Sequence, residues 1–195
     1  MVIQEPTQNF TPGNNRKVIG VCLHIGQGSI ESILGWLKTP SSMVSAHYAI
    51  SKAGQTYQLV QEKDIAWAAG VVTEPSWKLL PVGVNPNTIL ISIEHEGYDT
   101  DIWTDAMKNE SARMVRDICT RYNLPIDRDH VIGHYEVDKL NRPNCPAVDK
   151  SIVDEIVALA NQKPISQNRE ATPQELTIYE KIIELLKKMI ALVKG

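Results

Sequence analysis

Residues 17–24 (KVIGVCLH) form a nearly unbroken apolar run rich in β-branched side chains, the pattern of a strand buried on both faces. Behind it, Ile30, Ile33, Leu34 and Leu37 fall at helical spacing, with Ser29 placed to cap the helix and Thr39-Pro40-Ser41-Ser42 to stop it. SAHYAI and TYQLV flank the turn KAGQ and predict a hairpin. Residues 71–88 hold three prolines and no period, a long loop of the kind that tends to carry function in compact domains. ILISIEHEG predicts another apolar strand, ending in polar groups. Met107, Met114, Val115, Ile118 and Tyr122 share one face of a helix over 104–122, capped by Thr104 and ended before Pro125. VIGH predicts a short strand leading into a loop at His134. Ile152, Val153, Ile156, Val157 and Leu159 predict a last inward-facing helix capped by Asp149.

Strands and helices alternate irregularly, which predicts an α/β (α+β) domain with a central mixed β-sheet flanked by helices. That domain spans 1–161. The polar stretch NQKPISQNREA has no apolar period and reads as a linker over 162–171. Thr172-Pro173-Gln174-Glu175 is a capping box opening an amphipathic helix over 172–195. Leu176, Tyr179, Ile183, Leu186, Ile190 and Val193 step by 3, 4, 3, 4, 3. Ile182, Leu185, Met189 and Leu192 broaden the stripe, so the helix needs a partner. Docking on its own domain, self-association, and contact with an anionic membrane or cell surface through Lys181, Lys187, Lys188 and Lys194 all fit.

A length of 195 residues allows one medium domain with a real core. The net charge of −3 argues against a nucleic-acid partner, since such proteins carry a basic face. MVIQEPTQNFTPGNN lacks a basic start followed by an apolar segment, so no signal peptide is expected. Three cysteines without a secretory signal speak against a disulfide framework. Cys22 in a strand and Cys119 on a helix face are expected to be buried and inert, whereas Cys145 lies in a loop between Asn144 and Pro146.

That loop carries the candidate chemistry. His134 and Cys145 bracket HYEVDKLNRPNC, and His24 closes the first apolar strand. Imidazole and thiolate are good zinc donors, and three protein ligands leave a fourth tetrahedral position for water. His24 and His134 are 110 residues apart, so only a fold can assemble them.

The ordered set LHIG, SAHYAI, AWAAG, ISIEHEG, VIGHYEV and RPNCP resembles the zinc-dependent N-acetylmuramoyl-L-alanine amidases of phage endolysins, bacterial autolysins and peptidoglycan recognition proteins. The resemblance covers about residues 17–160. It implies a mixed sheet flanked by helices, a cleft with one Zn2+ per chain at its floor, and His24, His134 and Cys145 as metal ligands. Glu94 falls where many family hydrolases carry the catalytic glutamate. A carboxylate at a strand end beside a metal-activated water can take its proton and return it to the leaving amine. Glu96 shares that strand face by period two, either as a rival base or as a partner that could raise the pKa of Glu94, and it is a candidate substrate-binding residue. His95 alternates to the other face.

The chain departs from the family at several positions. Ala68 stands where many members have a cleft histidine, leaving Trp67 as a cleft wall. Ala46 stands where some phage relatives have a catalytic tyrosine. Pro143 stands where a lysine is common, so Arg142 is expected to supply the cation that stabilises the oxyanion or anchors substrate. His47 is a candidate substrate-binding residue, with a satisfied core histidine as the alternative. The resemblance implies a peptidoglycan substrate. The expected setting is a phage or prophage endolysin made in the cytoplasm and acting on the cell wall after release. A cytosolic muropeptide-recycling amidase and a non-catalytic peptidoglycan-binding protein are the rival readings.

Overall fold

The computed structural model describes residues 1–162 together with Lys181, Ile183 and Met189. In chain order its elements are β1 (Val2–Gln4), β2 (Phe10–Thr11), β3 (Gly20–Ile25), α1 (Ile30–Lys38), β4 (Tyr48–Ile50) and β5 (Thr56–Gln58). Then follow β6 (Ile65–Ala66), β7 (Leu90–His95), α2 (Asp105–Tyr122), β8 (Val131–Gly133), α3 (His134–Val137) and α4 (Ser151–Asn161). Six strands form one sheet in the order β1-β5-β4-β7-β3-β8. All neighbours run parallel except the β4–β5 hairpin, so the expected mixed sheet is present. β2 and β6 form a separate antiparallel pair.

The alternation along β3 and β7 sorts the molecule into two sides. Val21, Leu23, Ile91 and Ile93 join Met107, Val115 and Ile118 of α2 and Val153 and Ile156 of α4 in the main core. Each such fully buried Leu, Ile or Val stabilises the fold by about 1.5–3 kcal/mol. On the opposite side, Cys22, Leu90 and Ile132 pack with Ala69, Trp77 and Val137. Farther along that side, α1 sets Ile30, Ile33, Leu34 and Leu37 against Ala46, Ala49 and Leu59.

The helix caps follow the sequence with one correction. Ser29 accepts from Ser32 N–H and Thr104 from Met107 N–H, as expected. α4, however, is capped by Lys150, without a side-chain bond. Asp149 sits one residue earlier, and its carboxylate accepts from Ser151 N–H at 3.0 Å. Strand β3 begins at Gly20 rather than Lys17. Strands β1 and β2 fall in a segment where periodicity predicts nothing; β1 pairs with the sheet edge at β5, and β2 pairs with β6.

Loop 71–88 is irregular up to a short 3-10 turn, Pro86–Thr88. It is tied down nonetheless: Trp77 is buried, with its indole N–H donating to Asp129 O at 2.8 Å. Cys22 and Cys119 are buried and unpaired, as expected.

The chain divides into two units, Met1–Gln162 and Lys163–Gly195. Apart from Gln162, Lys181, Ile183 and Met189, the predicted linker and terminal helix lie outside the described residues, and so do the contacts expected of them. Those last three residues are helical and exposed. Among the described residues, no helix is long and apolar enough to cross a membrane.

Candidate active site

His24 and Glu94 sit side by side in register on the adjacent parallel strands β3 and β7. Their side chains emerge on the α1 side, with His24 Nδ1 4.0 Å from Glu94 Oε1. β8 delivers His134 at the first position of α3. The chain then loops back so that Cys145 O accepts from Tyr135 N–H at 2.9 Å. Gly133 permits this close return: a Cβ there would collide with the Tyr135 ring and come within 2.9 Å of Pro146 Cδ.

The donor atoms of His24, His134 and Cys145 all lie within 4.8 Å of one another. His134 Nε2 donates to Ala69 O at 3.2 Å, which leaves its Nδ1 as the lone-pair nitrogen. That Nδ1 faces His24 Nδ1 at 2.9 Å, while His24 Nε2 is buried without a partner. Ile25 N–H donates to Cys145 Sγ at 3.4 Å. Burial holds both imidazoles neutral: the His24 pKa is well below its usual value, and His134 is lowered to about 4. Burial, reinforced by Glu94, pushes the Cys145 thiol up. Two neutral imidazoles and a thiol with donor atoms within 4.8 Å of one another fit a metal ion of the zinc class. That set could hold one.

Glu94 lies on the floor of the same cleft, its side chain 14% exposed. Its Oε2 is buried without a partner. Burial raises its pKa to about 7, with Arg142 opposing. The carboxyl is therefore poised to exchange a proton near neutrality. The cleft has a volume of about 430 Å³, within the range of small-molecule sites. Its lining includes Ser45, Trp67 and Ala68 together with Arg142 and Asn144. Arg142 is exposed and forms no ion pair among the described residues.

Two expected substrate contacts are corrected. His47 is a core histidine: Ser92 N–H donates to its Nδ1 at 3.0 Å, and its Nε2 donates to Asp64 O at 3.2 Å. Both ring nitrogens are satisfied inside the protein, and burial lowers its pKa to about 3. Glu96 turns away from the cleft lining, and its carboxylate accepts from Lys52 N–H at 2.7 Å. The cause is that β7 ends at His95, so strict alternation no longer governs Glu96. His95 is structural, buried against Trp103, with its ring bonded to His24 O at 2.8 Å and Ser111 Oγ at 3.0 Å.

Asp138 escapes sequence reasoning. It is fully buried. It accepts from Thr73, Glu74, Leu140 and Asn141 N–H at 3.2–3.4 Å and from Asn141 Nδ2 at 2.7 Å. It thereby ties the 71–88 loop to the segment that carries both His134 and Cys145. The signal available was an aspartate ahead of a polar turn, the Asx-turn pattern.

The family model for N-acetylmuramoyl-L-alanine amidase matches residues 14–148. N-acetylmuramoyl-L-alanine amidase A of Achromobacter lyticus is 36% identical over 118 residues, covering 59% of this chain and 58% of that protein. The 1,6-anhydro-N-acetylmuramyl-L-alanine amidase AmpD of Salmonella typhimurium is 32% identical over 125 residues, covering 63% and 62%. The chain thus spans about three-fifths of the length of the curated relatives it matches. A selenomethionine AmpD crystal structure shares the fold, with a TM-score of 0.63 at 22% identity, covering 80% of this chain and 93% of that one. Together with the assembled His24, His134 and Cys145 site, the match over 14–148 establishes that this chain belongs to the N-acetylmuramoyl-L-alanine amidase family.

Proposed function

We propose that this protein hydrolyses the amide between the lactyl group of N-acetylmuramic acid and L-alanine in peptidoglycan, using one zinc ion per chain. The observation that carries the reading is the convergence of His24, His134 and Cys145 beside the buried carboxyl of Glu94 on the floor of one cleft. A zinc ion held by those three residues would supply Lewis-acid polarisation of the scissile carbonyl and would lower the pKa of water toward about 7.

The remaining chemistry falls to the chain's own groups. Glu94 takes the proton of the attacking water and passes it to the alanine nitrogen as the C–N bond breaks. The products are a lactyl carboxylate and a free L-alanine amino terminus. Arg142, on the cleft wall, faces the negative charge that builds on the former carbonyl oxygen. Ala69 O orients His134, and Trp67 shapes the wall against which substrate lies.

Within that activity we read the protein as a phage or prophage endolysin, made in the cytoplasm and acting on the wall after release. The support is Trp36, exposed in the cleft lining, which offers a flat apolar face to a substrate that extends beyond the cleft. A second reading, muropeptide recycling, is favoured by the likeness to the Salmonella enzyme whose name specifies a 1,6-anhydro substrate.

The test is digestion of intact peptidoglycan by zinc-loaded protein, followed by mass spectrometry. New L-alanine amino termini without new reducing sugars, abolished by chelator and restored by zinc, are expected. Binding to sacculi without amine release overturns the reading and makes this a recognition protein. Faster turnover of soluble anhydro-muropeptides than of sacculi assigns it to recycling.

A further inference from the structure

Trp36 is anomalous. It lies on α1 three residues after the buried Ile33, and it lines the active-site cleft while remaining 59% exposed. A single exposed aromatic is unremarkable. This one shares its cleft with a second indole, Trp67, whose ring N–H is tied to Thr11 Oγ1 at 2.9 Å. The polar groups that accompany them on this side, Ser45 and Gln27, are uncharged.

The opposite side differs in chemistry. Across β7 and β3 from α1, the segment after α3 brings Arg142 into the lining, and Asp99, whose O accepts from Val148 N–H, lies beside that segment. This side thus offers charges that suit the carboxylates and amines of a stem peptide. Among the described residues Arg142 is the one Lys or Arg in the lining. The α1 side offers flat apolar faces edged by neutral hydrogen-bonding groups. A pyranose ring has that complementary form, with an apolar C–H face and hydroxyl and acetamido groups at its rim. The muramic residue bearing the scissile amide must sit over His24 and Glu94, so the exposed rim meets the next ring.

We propose that Trp36 and Trp67 form a stacking subsite for a hexosamine ring of the glycan strand, next to the muramic residue that is cleaved. The proposal rests on the amidase reading for where the scissile bond lies. It makes Trp36 a specificity residue that favours polymeric glycan over single-sugar muropeptides.

The test uses the full chain and the variants Trp36→Ala and Trp36→Phe. Tryptophan fluorescence is titrated with a peptide-free N-acetylglucosamine hexamer, which has no bond for the enzyme to cut. The hexamer should shift the wild-type emission, with binding weakened roughly three- to tenfold by W36A and largely kept by W36F. In kinetics, W36A should lose that same factor more in kcat/KM on long glycan chains than on a single N-acetylmuramoyl peptide. No hexamer response in the wild type, or an equal W36A loss on both substrates, overturns the proposal. Hexamer binding by a protein that cleaves neither substrate would sink the amidase reading and leave the subsite standing. Cleavage without hexamer binding would do the reverse.

Discussion

His24 and Glu94 are register partners across two parallel strands, and that pairing places an imidazole of the candidate metal site 4.0 Å from the carboxyl proposed to move the proton. The sheet itself sets the spacing, because neighbouring strands hold their residues about 4.8 Å apart and paired side chains leave by the same face. Neither residue depends on a flexible loop.

Replacing Glu94 by Gln should therefore remove the proton carrier without disturbing the ligands. Turnover is expected to fall by roughly 10²–10⁴-fold. Zinc content, measured by atomic absorption, should stay at one per chain. As a base, Glu94 must be ionised, and burial raises its pKa, so wild-type activity should decline toward acid pH and E94Q should lose that acid limb. Near-normal turnover in E94Q would move the base elsewhere.

Cys145→Ala removes one of three protein ligands, and its zinc affinity, measured by competition with a chromogenic chelator, should drop well below that of the wild type. Chelation of the wild type should abolish amide hydrolysis reversibly. A C145A protein that holds zinc as tightly as the parent would rule out the thiolate as a ligand.

Arg142→Ala should reduce kcat by roughly 10²-fold if the guanidinium meets charge that develops only in the transition state. Arg142→Lys should recover part of that loss, because a cation remains on the wall. A rise in KM with kcat intact would instead make Arg142 a substrate anchor.

Asp138→Asn should lower stability by about 1–3 kcal/mol, since an amide cannot accept from all the N–H groups that now converge on the carboxylate. Burial pushes the Asp138 pKa up, but the bonds from Asn141, Glu74 and Thr73 together outweigh it and hold the group at about 2. Its folded pKa is thus below the unfolded value of about 3.9. The stabilisation is full above that value and is lost as pH falls toward about 2. Thermal melts should show the gap between wild type and D138N narrowing over that interval. A gap that is constant with pH would mean the carboxylate charge contributes nothing.

His47→Leu should destabilise by a similar margin, about 1–3 kcal/mol, by stranding Ser92 N–H and Asp64 O. Urea denaturation measures it. If H47L is as stable as the wild type and instead loses substrate affinity, His47 is a binding residue after all.

Much of this protein was legible in the residues themselves. The run KVIGVCLH, the capped helices at Ser29 and Thr104 and the hairpin around KAGQ are local patterns, and local sterics and hydrogen bonding decide them. Donor chemistry made His24, His134 and Cys145 candidates, and the ordered family motifs gave the set its weight. What lay beyond the sequence is whatever depends on chain segments far apart meeting. β1 pairs with β5 and β2 with β6, segments far along the chain. His47 is core because Ser92 and Asp64 close on both its nitrogens, and Glu96 leaves the cleft because β7 ends one residue before it. Asp138 matters because loop 71–88 folds over it. Periodicity reports which face a residue takes on its own element. Only the packed sheet decides which other side chains share that face, and at what distance.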